Sequence, residues 1–157
     1  MASTAGTASN EAASTRGEKT PAQLFAYLVG AVLVLVGIVG FVVDSAFDTG
    51  SGIDGDKLLL FEVNGIHNLV HIASGLLLLA VAPKRAAARY GVFAFGAVYA
   101  IVTIIGLADG EDVLGLIPVN PADNVLHIAL TAAALLAAAV SSDDDVRGTR
   151  AARTRAG

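Results

Sequence analysis

The chain has 157 residues, of which 15 % are charged and 55 % hydrophobic. A soluble domain carries roughly 25 % charged residues to wet its surface, so an ordinary water-soluble domain is excluded. With no cysteine, disulfides, thiolate metal sites and thiol nucleophiles are excluded too, and a net charge of −4 argues against nucleic acid as a partner.

Residues 1–20 are small and polar and read as a disordered tail. Residues 20–43 then contain no Asp, Glu, Lys or Arg, and the same holds for 63–83, 90–108 and 124–142. Each run is close to the ~20 residues that cross ~30 Å of hydrocarbon as a helix. None alternates as a barrel strand would. A buried helix of a soluble bundle would keep a polar face, and the first run has none. Spans are therefore expected at about 22–43, 62–82, 89–108 and 121–140, inside a membrane domain of residues 21–142. The first is too long for a cleaved signal peptide and is read as retained. Residues 143–157 form a second polar tail.

Basic residues set the orientation. Arg16 and Lys19 precede the first span, Lys84, Arg85 and Arg89 follow the second, and Arg147, Arg150, Arg153 and Arg155 follow the fourth. The loops after spans one and three carry Asp44, Asp48, Asp54, Asp56, Asp109, Glu111 and Asp112, with Lys57 as their one base. Nine of the ten basic residues thus fall on one side. The expectation is a multi-pass protein of the cell membrane with both termini cytoplasmic.

The chain also repeats itself. GAVLVLVGIVG at 30–40 and GAVYAIVTIIG at 96–106 agree at six of eleven positions. VNGIHNLVHIA at 63–73 and VNPADNVLHIA at 119–129 also agree at six of eleven, including Asn64/Asn120, Asn68/Asn124 and His71/His127. Shared polar residues in register inside apolar spans are not a chance of composition. The fold class expected is all-α, an integral membrane four-helix bundle made of two tandem helical-hairpin repeats. Both copies share one orientation, so they are related by a pseudo-twofold along the membrane normal.

On a wheel of 100° per residue, Asn64, His67, Asn68 and His71 share a stripe with Ser74 and Gly75, within about 120°. Asn120, Asp123, Asn124 and His127 share another with Thr131, within about 100°. Polar stripes in membrane helices turn toward protein or water. If helices two and four flank the axis, His71 meets His127, Asn64 meets Asn120, Asn68 meets Asn124 and His67 meets Asp123. The first reading is a polar seam that locks helices two and four in the outer half of the bundle by hydrogen bonding. Asn120, Pro121 and Asp123 also form an ordinary helix start. No cofactor is required by that reading.

Two alternatives use the same residues. His67 and His71 have the i, i+4 spacing of two ligands on one helix face. With His127 and Asp123 they could hold a divalent metal, or His71 and His127 could be axial ligands of a haem b. The second alternative is a component of small-solute or proton transport, though no polar residue continues the stripe past Ser74 and Thr131. No nucleophile or second acid–base system is present, so an enzyme is not expected. The lipid bilayer is the partner expected. Small residues at Ala22, Ala26 and Gly30, and at Gly91 and Gly96, could pack the bundle or a homo-oligomer.

The motifs FEVNGIHNLVHIASG at 61–75 and PVNPADNVLHIAL at 118–130 resemble those of the uncharacterised prokaryotic membrane family known as domain-of-unknown-function family 4383. The resemblance spans about residues 20–142. It implies a small four-helix inner-membrane protein of bacteria or archaea, and brings no activity, substrate or cofactor.

Overall fold

The computed structural model describes residues 19–141; the tails expected at the two ends lie outside the described residues, apart from Lys19 and Thr20. Four helices carry the fold. α1 runs Pro21–Val43, α2 Gly65–Val81, α3 Arg85–Asp109 and α4 Pro121–Val140. Each repeat adds a two-stranded hairpin before its second helix. β1 (Asp56–Leu58) pairs antiparallel with β2 (Phe61–Val63), and β3 (Asp112–Val113) with β4 (Ile117–Pro118).

These strands correct the expected loops. They also move the start of helix two from 62 to Gly65, because Phe61–Val63 is paired in the ladder and Asn64 caps the helix. A turn residue with positive φ closes each hairpin: Leu59 at 61° and Gly115 at 65°. The two positions differ by 56 residues, the same offset as His71 and His127, but the second turn is one residue longer and Leu114 also has a positive φ, of 59°. Only Gly takes it without steric cost.

α1, α3 and α4 are long and apolar enough to cross a membrane, with mean hydropathies of 2.7, 2.2 and 1.7. α2 has 17 residues, about 25 Å at 1.5 Å per residue, the short end of the spanning range. Leu28, Leu35 and Val42 on α1 are more than 60 % exposed, the surface a bilayer would cover.

The opposite face of α1 is small. Ala22, Ala26, Gly30, Gly37 and Gly40 are all buried, so α2 can lie close. A methyl group on Gly30 would stand 3.0 Å from the Gly75 carbonyl oxygen, and one on Gly75 2.6 Å from the Gly30 carbonyl oxygen. Gly91 and Gly96 likewise face Val81 and Leu135 inside the chain. The small residues therefore pack the bundle itself.

α1 packs tightly on α2, and α3 on α4. Between the hairpins α1 meets α3, α2 meets α3 and α1 meets α4, whereas α2 and α4 are not a packed pair. So α1 and α3 flank the axis, and the expectation that helices two and four do so is corrected. Glycine and alanine on the outgoing helices allow that approach. The apolar core lies along it: Leu33, Leu78, Val92, Phe95 and Tyr99 with Ala26, Ala134 and Ala138, Phe25 meeting Phe95 edge-on at 5.8 Å between ring centroids.

The terminal end is tied by backbone caps. Thr20 and Gln23 form a capping box on α1, Gln23 Nε2 donates to the Ala82 carbonyl at the end of α2 (2.9 Å), and the Ala22 amide donates to Ser141 Oγ at the end of α4 (2.9 Å).

Candidate metal centre at the hairpin end

The four asparagines hold the scaffold, by pairings other than those expected. Asn64 caps α2 by accepting from the His67 amide at 2.8 Å. Its Nδ2 donates to the Leu116 carbonyl of the other repeat at 3.1 Å. Asn120 caps α4, accepting from the Ala122 and Asp123 amides, and its Nδ2 donates to the Leu60 carbonyl at 2.9 Å. The two do not meet; each reaches the other's hairpin.

Asn68 and Asn124 do not meet either. Each clasps the outgoing helix of its own repeat. Asn68 Nδ2 donates to the Asp44 carbonyl at 2.8 Å, and Asn124 Nδ2 to the Gly106 carbonyl at 3.4 Å. Gly40 and Gly106 make room for the two side chains, since a methyl at either would run into the carboxamide oxygen. The seam thus joins α2 to α1 and α4 to α3, and its link between repeats runs through the loops rather than between α2 and α4.

His67 and Asp123 are joined through the backbone of one residue, Glu62, rather than to each other. His67 Nδ1 lies 2.9 Å from the Glu62 carbonyl oxygen. Asp123 Oδ2 accepts from the Glu62 amide at 3.0 Å and from the Asn120 amide at 3.0 Å. The carboxylate completes a capping box, as the sequence of the helix start suggested, and also holds the strand that orients His67. A carbonyl can only accept, so Nδ1 of His67 carries the proton and Nε2 keeps its lone pair.

The three histidines converge. His67, His71 and His127 offer ligand atoms that all lie within 4.8 Å of one another. They are 2 %, 9 % and 4 % exposed. The His67 ring centroid is 4.4 Å from that of His71 and 6.2 Å from that of His127. Among the described residues no acid joins this group, so Asp123 leaves the expected ligand set. Nδ1 of His71 and Nδ1 of His127 are buried without a hydrogen-bond partner. A buried polar atom left unpaired costs free energy of about 1–3 kcal/mol. Two such rings beside His67 are therefore an expensive way to build a core, and a cheap way to hold an ion.

Tyr99 was missing from the sequence reading. Its ring stands edge-on to His127 at 5.4 Å and 86° and stacks on Phe95 at 4.1 Å. The signal available was divergence between copies: the aligned position in the first repeat is Leu33.

Fold and site together define a small four-helix membrane protein with a buried polar cluster. The chain belongs to the family described as Domain of unknown function (DUF4383), whose model matches residues 23–140. No curated protein and no solved structure matches it.

Proposed function

We propose that this chain is a multi-pass protein of the cell membrane, with both termini cytoplasmic, that binds one divalent transition-metal ion through His67, His71 and His127. The observation that carries the reading is the convergence of three buried imidazoles within 4.8 Å. Imidazole suits zinc, copper, nickel and iron. Three ligands at ~2.0–2.1 Å, with a fourth position left open, is a recurring zinc arrangement. The His67–Glu62 hydrogen bond adds support, because metal-bound histidine nearly always donates its other N–H to a carbonyl or carboxylate.

A single ion fits better than a haem. The ring of His67 stands against both His71 and His127, at 4.4 Å and 6.2 Å between centroids, where a macrocycle held between those two axial ligands would have to lie. The role proposed is binding; among the described residues no carboxylate joins the three imidazoles. The charge asymmetry of the loops supports the orientation, with the metal near the non-cytoplasmic face.

The test is metal analysis of protein purified in mild detergent and incubated with zinc alone. One zinc per chain is expected, lost in His71→Ala and in His127→Ala. Size-exclusion profiles of the variants report whether they fold. Folded variants that keep one zinc would overturn the proposal.

A further inference from the structure

Beside the imidazole cluster, a slot of about 370 Å³ lies between α2 and α3. One end is polar: the three histidines, Ser74 and Tyr99. The rest is hydrocarbon, supplied by Leu77, Leu78 and Val81 of α2 and by Ala94, Phe95 and Val98 of α3. Leu78, Phe95 and Tyr99 are buried and form its floor. Leu77 and Val98 are exposed and form its rim. The slot therefore opens sideways, toward the bilayer, rather than along the axis. From His71 to Val81 it extends about 15 Å along α2.

The two repeats differ at this place. Helix one aligns with helix three at an offset of 66 residues, so Gly91 and Ala94 of the slot correspond to Phe25 and Leu28. The same comparison on the returning helices sets His67 against Asp123. The interface that carries the extra imidazole is the one whose outgoing helix is small at Gly91 and Ala94, with its bulk at Phe95 and Tyr99 where the first repeat has Val29 and Leu33.

Charge says what belongs there. Imidazoles are neutral ligands, so an ion bound by three of them keeps its full double charge. In a low-dielectric interior such a charge is costly unless an anion pairs with it. Among the described residues no carboxylate joins the cluster, and Asp123 spends Oδ2 on two backbone amides. Among the described residues nothing supplies that anion, and the slot leads to the cluster from the lipid side through an apolar passage.

Resting on the metal reading above, we infer that the slot takes a long-chain fatty acid from the membrane, its acyl chain between α2 and α3 and its carboxylate on the metal held by His67, His71 and His127. The carboxylate supplies the oxygen ligand and the negative charge that the protein does not. The chain lies against Leu78 and Phe95, exchanging contacts with lipid tails for contacts of the same kind, so the carboxylate on the metal carries the preference for the slot.

The experiment uses the full chain in maltoside detergent and radiolabelled palmitate, with and without zinc. Bound zinc is measured separately on every sample. Zinc-loaded protein is expected to bind one palmitate, at least tenfold more tightly than zinc-free protein does. Hexadecanol, with the chain but no charge, and acetate, with the charge but no chain, are each expected to bind at least tenfold more weakly. Val98→Trp, which fills the rim, is expected to keep its zinc and lose palmitate. Zinc-loaded protein that binds palmitate no better than hexadecanol, or no better than zinc-free protein does, would overturn the fatty-acid assignment while leaving the metal site standing. So would an intact phospholipid that co-purifies in place of palmitate. Absence of bound zinc would bring down the metal reading, and this inference with it.

Discussion

Asn64 and Asn120 exchange their amide groups between the repeats: each caps its own helix with Oδ1, and each donates Nδ2 to the hairpin of the other, at Leu116 and Leu60 respectively. The two donors and the two acceptors are separated by the same 56 residues. The hairpin end is thus a closed, nearly twofold unit, and the histidine cluster sits directly beneath it. Whatever loosens the exchange loosens the frame of the site.

Gly40 and Gly106 are equivalent positions under unequal pressure. A methyl at Gly106 would come 2.7 Å from Asn124 Oδ1, whereas one at Gly40 would overlap Asn68 Oδ1 outright. Overpacking of this kind costs about 1–3 kcal/mol. Gly40→Ala is expected to lower the unfolding temperature in detergent more than Gly106→Ala does. Combining Gly40→Ala with Asn68→Ala should recover part of the loss, because the clash disappears with the side chain. Equal effects of the two glycine substitutions, with no recovery, would contradict the clasp described for Asn68.

Asp123 acts on the site from one residue away. Its carboxylate holds the Glu62 amide, and the Glu62 carbonyl holds His67. Supporting groups of this sort are worth about 10–100-fold in metal affinity. Asp123→Ala should weaken zinc by about that factor in a chelator competition, and Asp123→Asn, which keeps an acceptor oxygen, should weaken it less. Asn64→Ala serves as the comparison for general loosening of the loops. An affinity untouched in Asp123→Ala would show that the Glu62 peptide does not orient the ring.

Much of this was legible in the residues. Charge segregation gave the helices, and Asn, Asn and His in register gave the duplication. The three histidines could be nominated because imidazoles are scarce in apolar spans. Their partners could not be, because a helix wheel reports direction and not distance. Asn64 lies on the same stripe as His67, yet as a cap it points along the chain and into a loop. The strands at 56–58 and 61–63 escaped notice because three-residue ladders carry no periodicity. The slot escaped because Gly91 and Ala94 signal an opening only once α2 is known to face them.

Asp112 ties the loops together. It is buried, and its carboxylate accepts from the Gly115 amide and from the Gly52 amide of the other repeat. Those two hydrogen bonds, Gly115 first, hold its carboxyl below the usual aspartate range. The sign follows: the folded carboxyl titrates lower than the unfolded one, so its contribution is present above the ordinary value near ~3.9 and is lost on acidification through the depressed one. The amide resonances of Gly52 and Gly115 should therefore shift together below the ordinary aspartate range, and the transition should vanish in Asp112→Asn. A transition centred at or above that range would contradict the two bonds.

The orientation can be read directly, since the chain has no cysteine of its own. Asp54→Cys lies in the first acidic loop and Pro83→Cys in the basic turn. In intact cells a membrane-impermeant maleimide is expected to label the first and to spare the second until the cells are opened. The reverse pattern would invert the proposed topology.

The hairpin exchange is a contact a single hairpin could make with a copy of itself, given twice by one symmetry axis. In such a homodimer every substitution appears on both sides. In one polypeptide that obligation is gone: a carboxylate at 123 braces the frame while an imidazole at 67 joins the histidine cluster. The linker between α2 and α3 is therefore more than a connection; it is what permits a symmetric frame to enclose an asymmetric centre.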